Sequence, residues 1–391
     1  MDTFAALTTT KGTGAISTIQ IFGGQAKAVL KKIFKPAGSK SAGLEPPNIC
    51  LGTITDGTET IDQVTIGCEG VDNFAIHCHG NPLIVEIIME LLKKHGATLV
   101  AADKLRAEIL TATTDLNSIR IEAKLAIPKA RTLAGTRLIV NQIEAGLSKA
   151  AQLWLRNIDT IPLKQIKEQA QQILKAGQTA KLIINRTRVC LAGPPNTGKS
   201  TLLNCLTGKQ KAIVTHIKGT TRDYVTGQCT IGPLWVELFD TAGLDDAPGT
   251  GTLDQAARQK AVQILELAEL VLVVLDINLP AGQLNAALID KLADRKVLPV
   301  LNKSDLPAKF DANKLPADWP APAIISAKLA QGLDHLAAGI QQLLAVTDFD
   351  VTQPVWITSR QKKILRQLAK VDSHSQATEA ITELLNGPVR V

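Results

Sequence analysis

Nine consecutive residues, Gly193-Pro194-Pro195-Asn196-Thr197-Gly198-Lys199-Ser200-Thr201, carry the densest chemistry in the chain. They read G-x-x-x-x-G-K-[ST], the spacing of a loop that cradles phosphates. Glycines allow the tight turn, and the first N–H groups of the helix that follows have no intrahelical partner and sit at the positive end of its dipole. Lys199 is spaced to reach β- and γ-phosphates, and the Ser200 hydroxyl to ligate magnesium. The apolar run 188–192 predicts a buried strand before the loop. Leu202, Leu203 and Leu206 predict a helix after it.

Further clusters follow in the order a nucleotide pocket needs. Asp240-Thr241-Ala242-Gly243 ends the apolar run 234–239. There Asp240 can hold a magnesium water shell, and the Gly243 N–H can meet a γ-phosphate. Gly219-Thr220-Thr221-Arg222-Asp223 lies where a switch segment must lie, with Thr221 completing a magnesium set of Ser200, Thr221 and Asp240. Asn302-Lys303-Ser304-Asp305 follows the apolar run 297–301. The Asp305 carboxylate can accept from the guanine N1–H and 2-amino groups, which adenine does not offer. Ser326-Ala327-Lys328 supports the base from a last loop. The set implies a site that binds and hydrolyses GTP with magnesium.

Elements must bring these clusters together. Strands predicted at 187–192, 226–231, 234–239, 270–276, 297–301 and 322–326 alternate with helices, the pattern of a doubly wound α/β domain over 187–345. Before it, residues 1–116 read as a small α+β domain, with strands at 4–7, 15–22, 49–54, 63–68 and 74–80 and helices at 26–34 and 82–95. Residues 117–186 read as helical, with amphipathic patterns at 119–127, 138–155 and 162–176, Gly177 serving as the C-terminal cap of the last. Residues 346–391 add helices at 360–371 and 377–385. The fold class expected is therefore multidomain, α/β plus α+β.

Composition narrows the classes. The 391 residues are 45% hydrophobic and only 3% aromatic, so the cores should be aliphatic. The six cysteines show neither C-x-x-C pairs nor a disulfide spacing, and read as buried hydrophobes in a reducing, cytoplasmic setting. The longest apolar run, 265–277, is short and broken by Glu266, Glu269 and Asp276, so no membrane span is expected. A net charge of +7 permits an RNA or phosphate-rich partner, yet the cations are dispersed, and a solvated basic surface is the alternative. His77 and His79 flank Cys78 on one strand face without a further ligand cluster, which favours a structural or substrate-contacting pair over a metal site.

The motifs taken together resemble the MnmE (TrmE) family of tRNA-modification GTPases. Gly-Pro-Pro-Asn-Thr-Gly-Lys-Ser, Ala212-Ile213-Val214-Thr215, Gly-Thr-Thr-Arg-Asp and Asp-Thr-Ala-Gly-Leu are all similar to that family's phrases. Era- and Der-type GTPases share much of this set, and placement decides between them. Ala75-Ile76-His77-Cys78-His79-Gly80 looks like an element of the family's N-terminal folate-binding domain, and the GTPase domain is flanked by helical segments. The resemblance implies a GTPase domain inserted into a helical domain, and a homodimer joined through the N-terminal domain. It also implies GTP, magnesium, potassium and a folate derivative as cofactors, with tRNA and an FAD-containing protein as partners in wobble-uridine modification. Asn196 would coordinate potassium with Thr215, Ile217 and Thr220. Leu244 follows the Asp-Thr-Ala-Gly motif where many GTPases place a water-orienting Gln, so the cation would supply charge stabilisation.

Asp254 falls near the family's water-orienting Glu, or is a helix N-terminal acid; the spacing serves both. Gln20 stands where the family has Arg, and Arg106-Ala107-Glu108-Ile109-Leu110 is a reduced form of a longer family element. No cysteine follows Cys229, whereas the family ends in a Cys-bearing motif. From this the expectation is GTP hydrolysis with little independent tRNA modification, and a regulatory GTP switch with a protein or ribosomal partner stands as the alternative.

Overall fold

Alternation of apolar and polar side chains along 16–22 and 59–70 buries one face of a sheet and wets the other, and the first unit is built on that face. The computed structural model describes residues 2–10, 12–37, 43–208, 226–240, 265–284 and 286–389. These fall into two compact units, 1–125 with 386–391, and 126–385. Among the described residues no helix is long and apolar enough to cross a membrane.

The first unit has strands β1 Phe4–Leu7, β2 Ile16–Phe22, β3 Phe34–Pro36, β4 Ile49–Asp56, β5 Glu59–Gly70, β6 Asn73–His79 and β7 Thr98–Leu99. They form one sheet in the order β3-β4-β5-β6-β2-β1-β7, antiparallel except where β7 joins β1. Helices α1 Ala26–Ile33 and α2 Pro82–Lys94 cover its apolar face. Ile19, Ile21, Ile54, Ile66 and Ile76 meet Leu30, Ile88 and Leu92 around Phe74, the aliphatic core that the scarcity of aromatics predicts. Helix α3, Ala102–Thr113, occupies a stretch to which the sequence pattern assigns no element. Helix α4, Ser118–Ala126, packs Ile121 and Leu125 on Ala107 with Val389 alongside, and Ser118 Oγ donates to the Gly387 carbonyl at 2.5 Å. This apolar contact carries the first unit past the boundary expected after residue 116.

The second unit holds strands β8 Arg186–Ala192, β9 Thr226–Ile231, β10 Leu234–Asp240, β11 Leu270–Asp276, β12 Val297–Asn302 and β13 Ala323–Ile324. Their order is β13-β12-β11-β8-β10-β9, parallel except for β9 at the edge. Every residue of β11 is buried, as a central parallel strand requires. The last strand is shorter than the expected 322–326, because Ser326 leaves the ladder to bridge Gln331. Helices α5 Leu133–Glu144, α6 Leu147–Arg156 and α7 Leu163–Ile184 precede β8; α8 Lys199–Gly208, α9 Ala286–Leu292 and α10 Leu333–Leu343 accompany the sheet. Helices α11 Ser359–Leu368 and α12 His374–Asn386 follow.

Two helix expectations are corrected. The pattern at 138–155 is two helices, broken at Gly146, where a Cβ would lie 2.2 Å from Gln142 Oε1. That buried amide oxygen instead accepts from the N–H groups of Leu147 (2.8 Å) and Val355 (3.0 Å), tying the chain before the sheet to the chain after it. Gly177 does not cap a helix; α7 continues seven residues past it, to Ile184. Its missing side chain admits the Trp356 indole, whose Nε1 donates to the Leu174 carbonyl at 3.1 Å.

An alanine Cβ at 177 would stand 2.1 Å from Trp356 Nε1. In an exposed helix Gly→Ala gains about 1 kcal/mol. Overpacking of this kind costs about 1–3 kcal/mol. Gly177→Ala should therefore lower the urea midpoint of the second unit, and a raised midpoint would show that α7 and Trp356 separate at little cost.

Candidate functional site

Parallel strands deliver their carboxyl ends to one edge of the sheet, where the crevice of an α/β fold binds ligands. Here β8, β10, β11 and β12 end at Ala192, Asp240, Asp276 and Asn302, and each leads into a cluster singled out by the sequence or into its support. The glycine loop leaves β8 against β11. Gly193 has φ +130°, and a Cβ on it would lie 2.2 Å from the Val274 carbonyl oxygen, so only glycine lets the loop start there. Asn196 takes φ +63° and is exposed. Thr197 is buried and its Oγ1 donates to the Pro194 carbonyl at 3.0 Å. Lys199, at the start of α8, is buried and its Nζ donates to the carbonyls of Gly193 and, at 2.8 Å, Pro194. An ammonium is thus held within the turn whose N–H groups can face an anion. Ser200 and Thr201 follow it on the exposed first turn.

Ser200 Oγ donates to Asp240 Oδ2 at 2.6 Å. Asp240 is only 3% exposed, and its Oδ1 has no hydrogen-bond partner among the described residues. A desolvated carboxylate oxygen without a partner is costly. A hydrated divalent cation beside Ser200 is chemistry that suits this pair of oxygens.

Asn302 is 2% exposed and spends both ends of its amide inside the protein. Its Nδ2 donates to the Thr197 carbonyl at 2.8 Å, and its Oδ1 accepts from the Ala327 N–H at 2.9 Å. Gly198, with φ +94°, makes room for this, since a Cβ there would lie 2.3 Å from Asn302 Nδ2. Lys303, at φ +66°, turns its Nζ onto Asp276 Oδ2 at 2.6 Å. Asp276 is a member the sequence reading passes over, although a carboxylate ending an apolar strand is its signal. Gln283 braces it by accepting from the Asp276 N–H (3.0 Å) and donating to its carbonyl (2.8 Å).

Asp305 is exposed and accepts from Ser326 Oγ at 2.6 Å. That bond, aided by the nearby Lys328 and Lys303 charges, holds the carboxyl below the usual carboxylate range. Ser326 is itself fully buried and accepts from the Leu329 N–H at 3.2 Å, while Lys328 is exposed. The structure therefore connects Gly193 to Thr201, Asp240, Asn302, Lys303, Asp305 and Ser326 to Lys328. Thr215, Ile217, Thr220, Thr221, Thr241, Ala242, Gly243, Leu244 and Asp254 lie outside the described residues.

In the first unit, His77 and His79 share the less buried face of β6. His77 Nδ1 shares a 3.0 Å bond with Thr18 Oγ1. His79 Nδ1 meets Asp62 Oδ1 at 2.7 Å, and its N–H donates to Asp62 Oδ2 at 2.9 Å. Gln20 Nε2 donates to Glu69 Oε2 and Asn73 Oδ1. Burial pushes the thiols of Cys68, Cys78 and Cys229 up to about 11, so at neutral pH they are the inert apolar groups expected.

Removing the Asn302 amide leaves a buried carbonyl and a buried N–H without their partner. At about 1–3 kcal/mol for each stranded group, Asn302→Ala should lower the thermal midpoint and weaken guanine-nucleotide affinity together. Unchanged stability with weaker binding would mean that the amide serves the ligand alone.

Comparison with known proteins follows the same division. Residues 3–103 match the model described as GTP-binding protein TrmE N-terminus, and residues 188–303 match that of a 50S ribosome-binding GTPase. The tRNA modification GTPase MnmE of Enterococcus faecalis is 28% identical, over 99% of this chain and 89% of its own. That of Lactobacillus helveticus is 28% identical over 94% and 87%, and that of Moorella thermoacetica 29% identical over 88% and 82%. Two matched models at the expected places, inside alignments that run nearly the whole chain, make this a GTP-hydrolysing chain similar along its length to the MnmE (TrmE) family.

Proposed function

We propose that the chain couples GTP hydrolysis to modification of the wobble uridine of tRNA, in the cytoplasm, as a homodimer joined through its N-terminal domain and working with an FAD-containing partner. The observation that carries the GTP half is the shared edge where buried Lys199, the Ser200–Asp240 pair and Asp305 are linked through Asn302. The tRNA half is supported by the activity in the names of the relatives, whose alignments reach both units.

In this reading the glycine loop, Thr197 and Thr201 hold the phosphates, and Lys199 neutralises their charge. Ser200, Asp240 and Thr221 hold magnesium, and the unpartnered Asp240 Oδ1 suits its water shell. Asp305 reads the guanine edge while Ser326, Ala327 and Lys328 back the base. Thr241, Ala242 and Gly243 approach the γ-phosphate, and Asp254 orients the attacking water. Asn196, exposed at the loop rim, coordinates potassium with Thr215, Ile217 and Thr220. The helices before and after the sheet form one domain into which the GTPase domain is inserted, a reading that the α7–Trp356 packing and the Gln142 bonds support. A folate derivative occupies the N-terminal domain near its histidine pair.

Ser326 keeps Asp305 ionised below the pH at which ordinary carboxylates protonate, so guanine affinity should persist as pH falls through their range. Asp305→Asn should transfer preference from guanosine to xanthosine triphosphate, read from the ratio of kcat/KM values; an unaltered ratio removes Asp305 from the base site. Potassium chloride should stimulate hydrolysis where sodium chloride does not, and Asn196→Ala should erase the difference. The modification itself is tested by restoring the wobble nucleoside in cells lacking their own family member.

A further inference from the structure

Cations that look dispersed along the sequence are gathered by the packing of α7 on α11. Residues 359–371 contain Arg360, Lys362, Lys363, Arg366 and Lys370 and no Asp or Glu. Lys362 and Arg366 lie four residues apart on one side of α11, and Lys370 follows two residues past its end. Residues 169–185 of the neighbouring stretch contain Lys175 and Lys181, again without an acid. Lys362 Nζ sits over the Trp356 ring, 4.7 Å from its centroid. Burial, with Arg366 and Lys181 nearby, pushes the Lys362 ammonium below its ordinary pKa. Like charges have converged here, at a cost to the helix.

Two ion pairs border this region: Lys164 meets Glu168 at 3.9 Å, and Lys167 meets Asp372, two residues beyond Lys370, at 3.8 Å. Arg360 is engaged with the carbonyls of Glu383 and Leu384. Among the described residues, Lys181, Lys362, Lys363 and Arg366 have no carboxylate within ion-pair distance. A membrane-lying helix would offer apolar side chains beside its cations. In α11 the apolar residues Ile364, Leu365 and Leu368 are buried within the protein, and the outer face is Lys363, Arg366 and Gln367. A purely cationic face without an apolar rim complements a phosphate backbone.

We infer that the face formed by Lys181, Lys362, Lys363, Arg366 and Lys370 is a docking surface for the phosphate backbone of RNA. The inference rests on the tRNA reading above and names the surface through which the tRNA is held. Its contacts are with phosphates, so they position the RNA without reading its sequence.

The experiment uses the full chain and a fluorescent tRNA transcript with uridine at the first anticodon position, titrated at several salt concentrations. Lys363→Gln/Arg366→Gln changes two exposed residues and should leave GTP hydrolysis unaltered. Binding should weaken roughly tenfold at physiological salt, and the slope of log affinity against log salt should shrink by about 1.5 for two lost phosphate contacts. Lys309→Gln/Lys314→Gln removes the same net charge elsewhere and should do neither. Equal weakening by both pairs, or by neither, overturns the surface while the tRNA reading stands. A wild-type chain that binds no tRNA overturns both. Phosphatidylglycerol vesicles captured instead of tRNA, and lost in the α11 variant, would assign the face to a membrane and overturn the inference.

Discussion

The amide of Asn302 joins two loops that the sheet alone leaves apart. One end takes the carbonyl of Thr197 in the glycine loop and the other the N–H of Ala327 in the last loop. The spacing between phosphate-facing and base-facing groups is therefore set by one planar side chain, in a place too dry for water to substitute. The rest of the edge follows from its position. Asn302 pairs with Asp276 in the β11–β12 register, so the next residue, Lys303, comes within reach of the Asp276 carboxylate. Gly198 is glycine because Asn302 lies where a Cβ would be.

Buried amides perform the same service away from the edge. Gln142 closes the break between α5 and α6 and accepts from Val355, beyond the last helix of the sheet domain. An uncharged side chain suits this work, because it satisfies donors and acceptors without the desolvation cost of an ion. The helices on either side of the α/β domain are thereby held to each other by specific hydrogen bonds as well as by apolar contact. In the first unit the comparable link runs through a buried carboxylate, with the two oxygens of Asp62 facing the N–H and the Nδ1 of an exposed His79.

What was legible in the sequence was whatever depends on neighbours along the chain. Phosphate chemistry demands a fixed local spacing, so Gly193 to Thr201 announced itself, and apolar runs located β8, β10, β11 and β12 to within a residue of their ends. Features imposed by distant partners were not legible. Gly177 has the look of a helix terminator, and only Trp356 explains why it sits inside one. Gly146 breaks a continuous amphipathic pattern because Gln142 needs the space. Helix α3 escapes the sequence pattern because its apolar residues are spread around it rather than along one face, with Leu105 and Ala107 alone buried. Asp276 and Gln283 carry no motif of their own, and Lys181 meets Lys362 only after α7 and α11 pack.

A single residue, Asn185, separates the end of α7 from the start of β8. The joint is also clamped, since Thr187 Oγ1 donates to the Leu182 carbonyl at 3.0 Å and Arg186 pairs with Glu237 on β10 at 2.6 Å. Such a joint makes α7 a lever whose fulcrum is the strand that feeds the glycine loop. Its 22 residues span about 33 Å, so a tilt of about 10° at the strand would carry the far end roughly 6 Å. Any tilt of the strand that feeds the glycine loop is thereby carried along α7 and into the segment that packs on it through Trp356.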